Sequence, residues 1–318
     1  AELVDTAYDL VDGLNRLADS RHLALYTLHE RLAGEMQACL EELRPKAASL
    51  PLCVRLDDLD AGLRRHAGGK AATLSLLRRS GLPVPDGFVA TTRACRRFLE
   101  FSGLDRLVRR CMGQVELGKG MEAAAREIRD AVLAAPLPAD LAQELESHWL
   151  ALGGAAVSVR SSALVEDKPG QSFAGQFHTE LNVRGTEALA AAFRAVVAGN
   201  FGARPTAYRR RAGLPLADLD MAVLVQVMVP ARAAGVAFTQ DPAAPESGRM
   251  LVSAVPGLGT GAVGGDAPAD IFRPRRDSGP DDGSQDAIAD KTARDVALDS
   301  GGLRREDVPE AERRVPLL

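Results

Sequence analysis

The chain has 318 residues, with 39 Lys and Arg against 43 Asp and Glu and a net charge of −4. That near-balance argues against a dedicated nucleic-acid binder, which carries a clear basic excess. Hydrophobic residues make up 46% and charged residues 26%, the range of an ordinary globular chain with a real core, and this length favours about two domains.

The first fifty-five residues read as a helical extension. Leu10, Leu14 and Leu17, then Leu25, Leu28, Leu32, Met36, Leu40 and Leu43 recur at three- and four-residue spacings. That is the apolar stripe of two helices, broken near Asp19-Ser20 and ended by Pro45. Such a pair serves either as a helical layer on the chain's own core or as a docking element, including one for a homodimer. No apolar run approaches the roughly 18–20 residues that span a bilayer, and the acidic N-terminal stretch lacks a signal-peptide pattern. A cytoplasmic protein is expected. Cys39, Cys53, Cys95 and Cys111 form no CxxC pair, so neither a disulfide scaffold nor a metal site is expected.

A second region is expected over 56–272. Ala71–Arg79 reads as a helix ended by Gly81 and Pro83, Gly87–Ala90 as a strand, and Thr92–Phe101 as a helix. Residues 104–152 are mainly helical, with Trp149 on an apolar face. From Ala155 the text turns strand-rich: AAVSVR, SFAGQFHTELNV, MAVLVQVMV, GVAFTQ, RMLVSAV and DIF. Helical stretches at Glu187–Val197 and Ala203–Arg211 interrupt these runs. The class is therefore α+β. Residues 273–318 are charged, rich in Gly, Pro and Asp, and read as a linker or flexible tail.

Four motifs carry candidate chemistry. Gly68-Gly69-Lys70 opens a helix, where glycines admit close ligand approach and helix N–H groups suit phosphate oxygens. It is not a Walker A loop, because Arg64 stands where that motif needs Gly and Ala71 where it needs Ser or Thr. Lys occurs only at 46, 70, 119, 168 and 291, so a Lys in this Gly-flanked place is informative in a chain that otherwise uses Arg. Gly259–Gly264 fits GxGxxG, but Gly265 and Pro268 oppose the helix that a dinucleotide fingerprint requires. Arg160, at a strand end beside Ser161 and Ser162, suits bidentate pairing with phosphate oxygens. Val225–Pro230 offers a strand leaving its sheet, with Met228 against a base.

In order, GGKAATLSLL, GLPVPDGFVATT, VSVRSSALVEDKPGQSFAGQFHTELNV, FGARPTAYR, VLVQVMV, GVAFTQDP and PGLGTGAVGG resemble the N-terminal ATP-binding domain of the phosphoenolpyruvate synthase and pyruvate phosphate dikinase family. The related part of rifamycin phosphotransferase is similar too. The resemblance runs from about Leu56 to Phe272 and implies an ATP-grasp-like, two-lobed nucleotide-binding domain. It implies that Lys70 and Arg160 contact the phosphates of ATP, beside Gly68 and Gly69. It further implies that the loop of Ser172, Gly175 and Gln176 closes over them, and that Gln226, Met228 and Val229 border the adenine. Arg204 and Asp241 look architectural.

The chain departs from the family where the block Glu-Ala…Gly-Leu-Gly-Glu holds Ser253 and Thr260. A neutral hydroxyl does not replace a carboxylate that pairs with a metal or an Arg. Mg2+ is expected for the intact family enzyme, but its Glu and Gln ligands lie beyond this chain. So do the phospho-histidine domain and the pyruvate-binding domain. The resemblance thus implies the ATP-binding part of a phosphotransferase that phosphorylates a histidine carrier and then pyruvate or another acceptor, incomplete and inactive alone. The apolar end Val315–Leu318 reads as a truncation. The alternative is a non-catalytic module that binds nucleotide or a partner.

Overall fold

The computed structural model describes residues 2–18, 21–43, 50–118, 120–163, 178–217, 219–264, 267–275 and 287–318. The chain divides into two compact units, Ala1–Leu50 and Pro51–Leu318. The first is a hairpin of α1 (Glu2–Leu17) and α2 (Ala24–Leu43). Asn15 stitches its turn: the side-chain amide donates to the carbonyls of Val11 at 3.1 Å and His22 at 3.2 Å, and its oxygen accepts from the His22 amide at 3.0 Å. Tyr26 donates its hydroxyl to Asp12 at 2.8 Å.

The second unit is built on a five-stranded sheet with the order β1 (Cys53–Arg55), β2 (Gly87–Ala90), β5 (Met221–Val227), β3 (Val157–Ala163), β4 (Thr179–Val183). Each pairing is antiparallel. The run MAVLVQV is apolar except for Gln226 because the central strand β5 is buried on both faces. Its Met221, Val223 and Val225 join a large core with α4 (Thr92–Phe101), α5 (Leu104–Glu116), α6 (Met121–Ala134), α7 (Ala139–Ala151) and α8 (Thr186–Gly199). Its Ala222 and Leu224 face the other way, onto Ala67 and Ala71 of α3 (Ala61–Arg79). Trp149 packs at the edge of the large core, and its indole N–H donates to the Ala155 carbonyl at 2.9 Å. These helices and antiparallel sheets make the α+β class plain.

α9 (Ala203–Arg211) is held to the end of α8 by Arg209. Arg204 is exposed, whereas Arg209 is buried and donates to the Asn200 carbonyl at 2.8 Å and to its side chain. A second antiparallel sheet has the order β6 (Ala233–Phe238), β7 (Leu251–Pro256), β8 (Asp270–Phe272). Asp241 is architectural here: its carboxylate accepts from the Ala243 amide at 2.9 Å and pairs with Arg273 at 3.2 Å.

Gly261 and Gly264 of the GxGxxG run fall within the short α10 (Thr260–Gly264) itself rather than ahead of a helix. This helix follows a strand of an antiparallel sheet, so the parallel βαβ unit of a dinucleotide fold is not formed. The end of the chain is not a tail over 287–318. It forms the hairpin β9 (Ala293–Ala297) and β10 (Leu303–Asp307). Cross-strand charge pairing, Arg294 to Glu306 at 2.8 Å, takes the place of an apolar stripe. Lys291 is 1% exposed and donates at 2.7 Å to Asp270, itself fully buried. The Asp270 carboxylate also accepts the amides of Ala289 at 2.9 Å and Leu317 at 3.1 Å. A buried pair so surrounded ties β8 to both ends of the C-terminal segment.

Candidate nucleotide-phosphate site

α3 is two helical segments joined at Gly68, whose φ of 74° and ψ of 164° are not helical. The expected helix start is therefore a kink inside a longer helix that begins at Ala61. The kink brings the backbone against β3, and a Cβ on Gly68 would lie 1.9 Å from the Ser162 carbonyl oxygen. Only glycine permits both the positive φ and that approach. Just past the kink, the Ala71 amide donates to the Ser162 hydroxyl at 3.2 Å. Ser162 thus caps an early N–H of the second segment with a side chain from another element.

Lys70 follows directly. Its ammonium donates to the Ser161 carbonyl in a long contact of 3.5 Å. Arg160 lies on β3 opposite Leu224 of β5. Directly paired residues of antiparallel strands share a face, and Leu224 packs on Ala67 and Ala71. Lys70 and Arg160 therefore stand on the same α3-covered face, both half-buried. An ammonium and a guanidinium gathered there favour an anion. The Ser161 carbonyl and the Ser162 hydroxyl accept the bonds that hold the kink and its Lys.

His66 precedes the kink. Its Nε2 accepts from Arg65 at 3.1 Å, which leaves Nδ1 to donate to the Thr92 hydroxyl at 3.3 Å. Burial, and then the Arg65 guanidinium, hold the imidazole below its ordinary value.

On β5, the Gln226 side-chain amide donates to the Pro85 carbonyl at 3.1 Å, and its own backbone carbonyl accepts from Ser158 at 3.3 Å. The Val227 and Met228 amides are taken by the carbonyls of Asp86 and Ala156, at 2.8 and 2.9 Å. Past Val227 the strand leaves the sheet, with Met228 half-buried and Val229 53% exposed. Residues 83–86 are clamped further by Arg78, which donates to the Val84 carbonyl at 3.0 Å, and by Arg55, paired with Asp86 at 2.9 Å. The loop with Ser172, Gly175 and Gln176 lies outside the described residues.

On β7 and α10 stand the two hydroxyls that replace expected carboxylates. Ser253 is half-buried, and Thr260 donates to the carboxylate of Asp295, a residue of β9 that sequence spacing did not single out. Hydroxyls at both positions do not fit a carboxylate-held Mg2+.

This α+β framework belongs to a family of AMP/ATP-binding domains. Residues 64–318 match the family described as the AMP/ATP-binding domain of pyruvate phosphate dikinase, and the chain belongs to that family. The phosphoenolpyruvate synthase of Aeropyrum pernix is 35% identical over 230 residues, 70% of this chain and 28% of that protein. The prodigiosin synthesizing transferase PigC of Serratia marcescens is 39% identical over 215 residues, 67% of this chain and 22% of that protein. The rifampicin phosphotransferase of a Streptomyces species is 37% identical over 274 residues, 84% of this chain and 31% of that protein. The chain thus spans less than a third of the length of each. No helix among the described residues is long and apolar enough to cross a membrane.

Proposed function

We propose that residues 51–318 form the ATP-grasp-like, ATP-binding part of a phosphoenolpyruvate synthase-like phosphotransferase. Lys70 and Arg160 neutralise the phosphates, Gly68 and Gly69 let the backbone approach them, and the Ser172–Gly175–Gln176 loop closes above. Gln226 braces the 83–86 segment while Met228 and Val229 border the adenine. The observation that carries this reading is the close approach of Gly68 to Ser162, which sets the Lys70 turn beside the strand of Arg160.

In the intact protein the phosphoryl group passes to a histidine on a separate domain and from there to pyruvate or another acceptor. Phosphoryl transfer rests on positioning and charge neutralisation, and with hydroxyls at Ser253 and Thr260 no step is assigned to Mg2+ here. The chain alone makes no phosphoenolpyruvate from ATP and pyruvate, and a cytoplasmic setting follows from ATP as donor. A second reading, a nucleotide- or partner-binding module without turnover, is favoured by those same hydroxyls and by the bond from Thr260 to Asp295.

Calorimetric titration with a non-hydrolysable ATP analogue tests the site. Lys70→Ala and Arg160→Ala should each weaken binding at least about tenfold, the scale of a lost charge-assisted hydrogen bond. Unchanged affinity in both variants overturns the assignment. Phosphoenolpyruvate above background overturns the claim of inactivity, and analogue binding without phosphoryl transfer from ATP to a supplied histidine domain supports the second reading.

A further inference from the structure

The opposite face of the five-stranded sheet holds a cluster unrelated to the nucleotide site. Cys53 on β1 meets Glu144 and His148, one turn apart on α7. The thiol sulfur, a carboxylate oxygen and a ring nitrogen all lie within 4.8 Å of one another. Cys53 is 4% exposed and belongs to the large core, the side away from α3. We propose that Cys53, Glu144 and His148 form a transition-metal site that takes Zn2+, with three protein ligands and the fourth position open to water.

The donor set fits. Thiolate, imidazole and carboxylate are the groups that bind zinc, and a tetrahedral ion holds its ligands roughly 3.3–3.8 Å apart at ordinary bond lengths. Side-chain rotations that draw the three atoms together by about 1 Å meet that requirement. The i, i+4 spacing sets Glu144 and His148 on one side of α7. The imidazole is already oriented, as metal-ligating rings generally are: Nδ1 lies 2.9 Å from the Glu144 carbonyl, and the ring packs 5.3 Å from that of Phe88.

Charge points the same way. A dication displaces the thiol proton to solvent, and one thiolate plus one carboxylate then balance the +2 charge. A neutral complex is what a poorly hydrated place tolerates.

Metal-free full-length protein titrated with Co2+ provides the test, read by the thiolate-to-cobalt charge-transfer band. One equivalent should raise the band and one equivalent of Zn2+ should bleach it. Cys53→Ser should abolish the band, and His148→Gln and Glu144→Gln should each weaken Co2+ binding at least about tenfold. Lys70→Ala should leave the titration unchanged. No band in the unaltered chain, a band that persists in Cys53→Ser, or unchanged affinity in both His148→Gln and Glu144→Gln overturns the proposal. Those last two variants, at half-buried positions, decide the matter if the serine variant does not fold.

Discussion

Gly68 and Ser162 are 94 positions apart in the chain, yet the backbone of the first sits where a single methyl group would collide with the carbonyl of the second, 1.9 Å away. The contact fixes the kink of α3 against β3, and through it the turn that carries Lys70.

Gly68→Ala should therefore be costly. Strain at φ 74° and overpacking against backbone together amount to about 3 kcal/mol, read as a lower urea midpoint together with weaker nucleotide binding. Gly113 supplies the contrast: it lies in α5, and a methyl group added there would have nothing within 4 Å. Gly113→Ala should be neutral or stabilising by up to about 1 kcal/mol. Equal destabilisation by the two changes contradicts the role given to Gly68.

The buried Lys291–Asp270 pair makes a second prediction. Lys291→Met leaves a buried carboxylate without its cation and should cost about 3–5 kcal/mol. Asp270→Ala strands the ammonium and two backbone amides and should cost more. Denaturant melts give the magnitudes. Limited proteolysis reports the place, since the 287–318 segment should become the first site of cleavage. A melt like that of the unaltered protein would show the pair to be dispensable.

Asn182 is the one non-glycine residue with positive φ among the described residues, at 54°. Its amide donates to the carbonyls of Leu298 and Gly302, both at 2.7 Å, and so fastens the β9–β10 turn to β4. Asn182→Asp sets a carboxylate against two carbonyl oxygens and should loosen the hairpin. Amide exchange over 293–307 should accelerate at least about tenfold, the equivalent of one lost hydrogen bond. Asn182→Gly, which keeps the backbone freedom, should show a comparable loss if the hydrogen bonds rather than φ matter.

Protonation of His66 gives a pH dependence with a definite sign. Because burial and Arg65 hold its folded value below the ordinary 6.5, the unfolded chain binds the proton more readily. Stability from this group is complete above about pH 6.5 and falls as the pH drops through the folded value. His66→Gln should flatten that part of the acid limb. An NMR titration midpoint at or above 6.5 would contradict the reading.

The local elements were readable because local signals agreed. Gly87–Ala90, Thr92–Phe101 and Ala203–Arg211 have the bounds that their patterns and punctuation predict. The Ala61–Ala67 segment of α3 is hidden in the sequence because the paired glycines mask a helix that resumes after a kink. The C-terminal hairpin is hidden because ARDVA and LRRED carry charge where strand patterns carry apolar residues. Cross-strand ion pairs and one buried Lys–Asp pair stabilise it, and those partners lie up to 21 residues apart in the chain.

The amino-acid order by itself determined the family likeness, the α+β class and the candidate cations, since each depends on residue identity and short spacings. Tertiary structure alone decided that Lys70 and Arg160 share a sheet face, that Gln226 spends its amide on Pro85, and that Cys53 meets Glu144 and His148. These are contacts between distant segments. Antiparallel register and a glycine without a side chain set them, and neither leaves a periodic trace in the sequence.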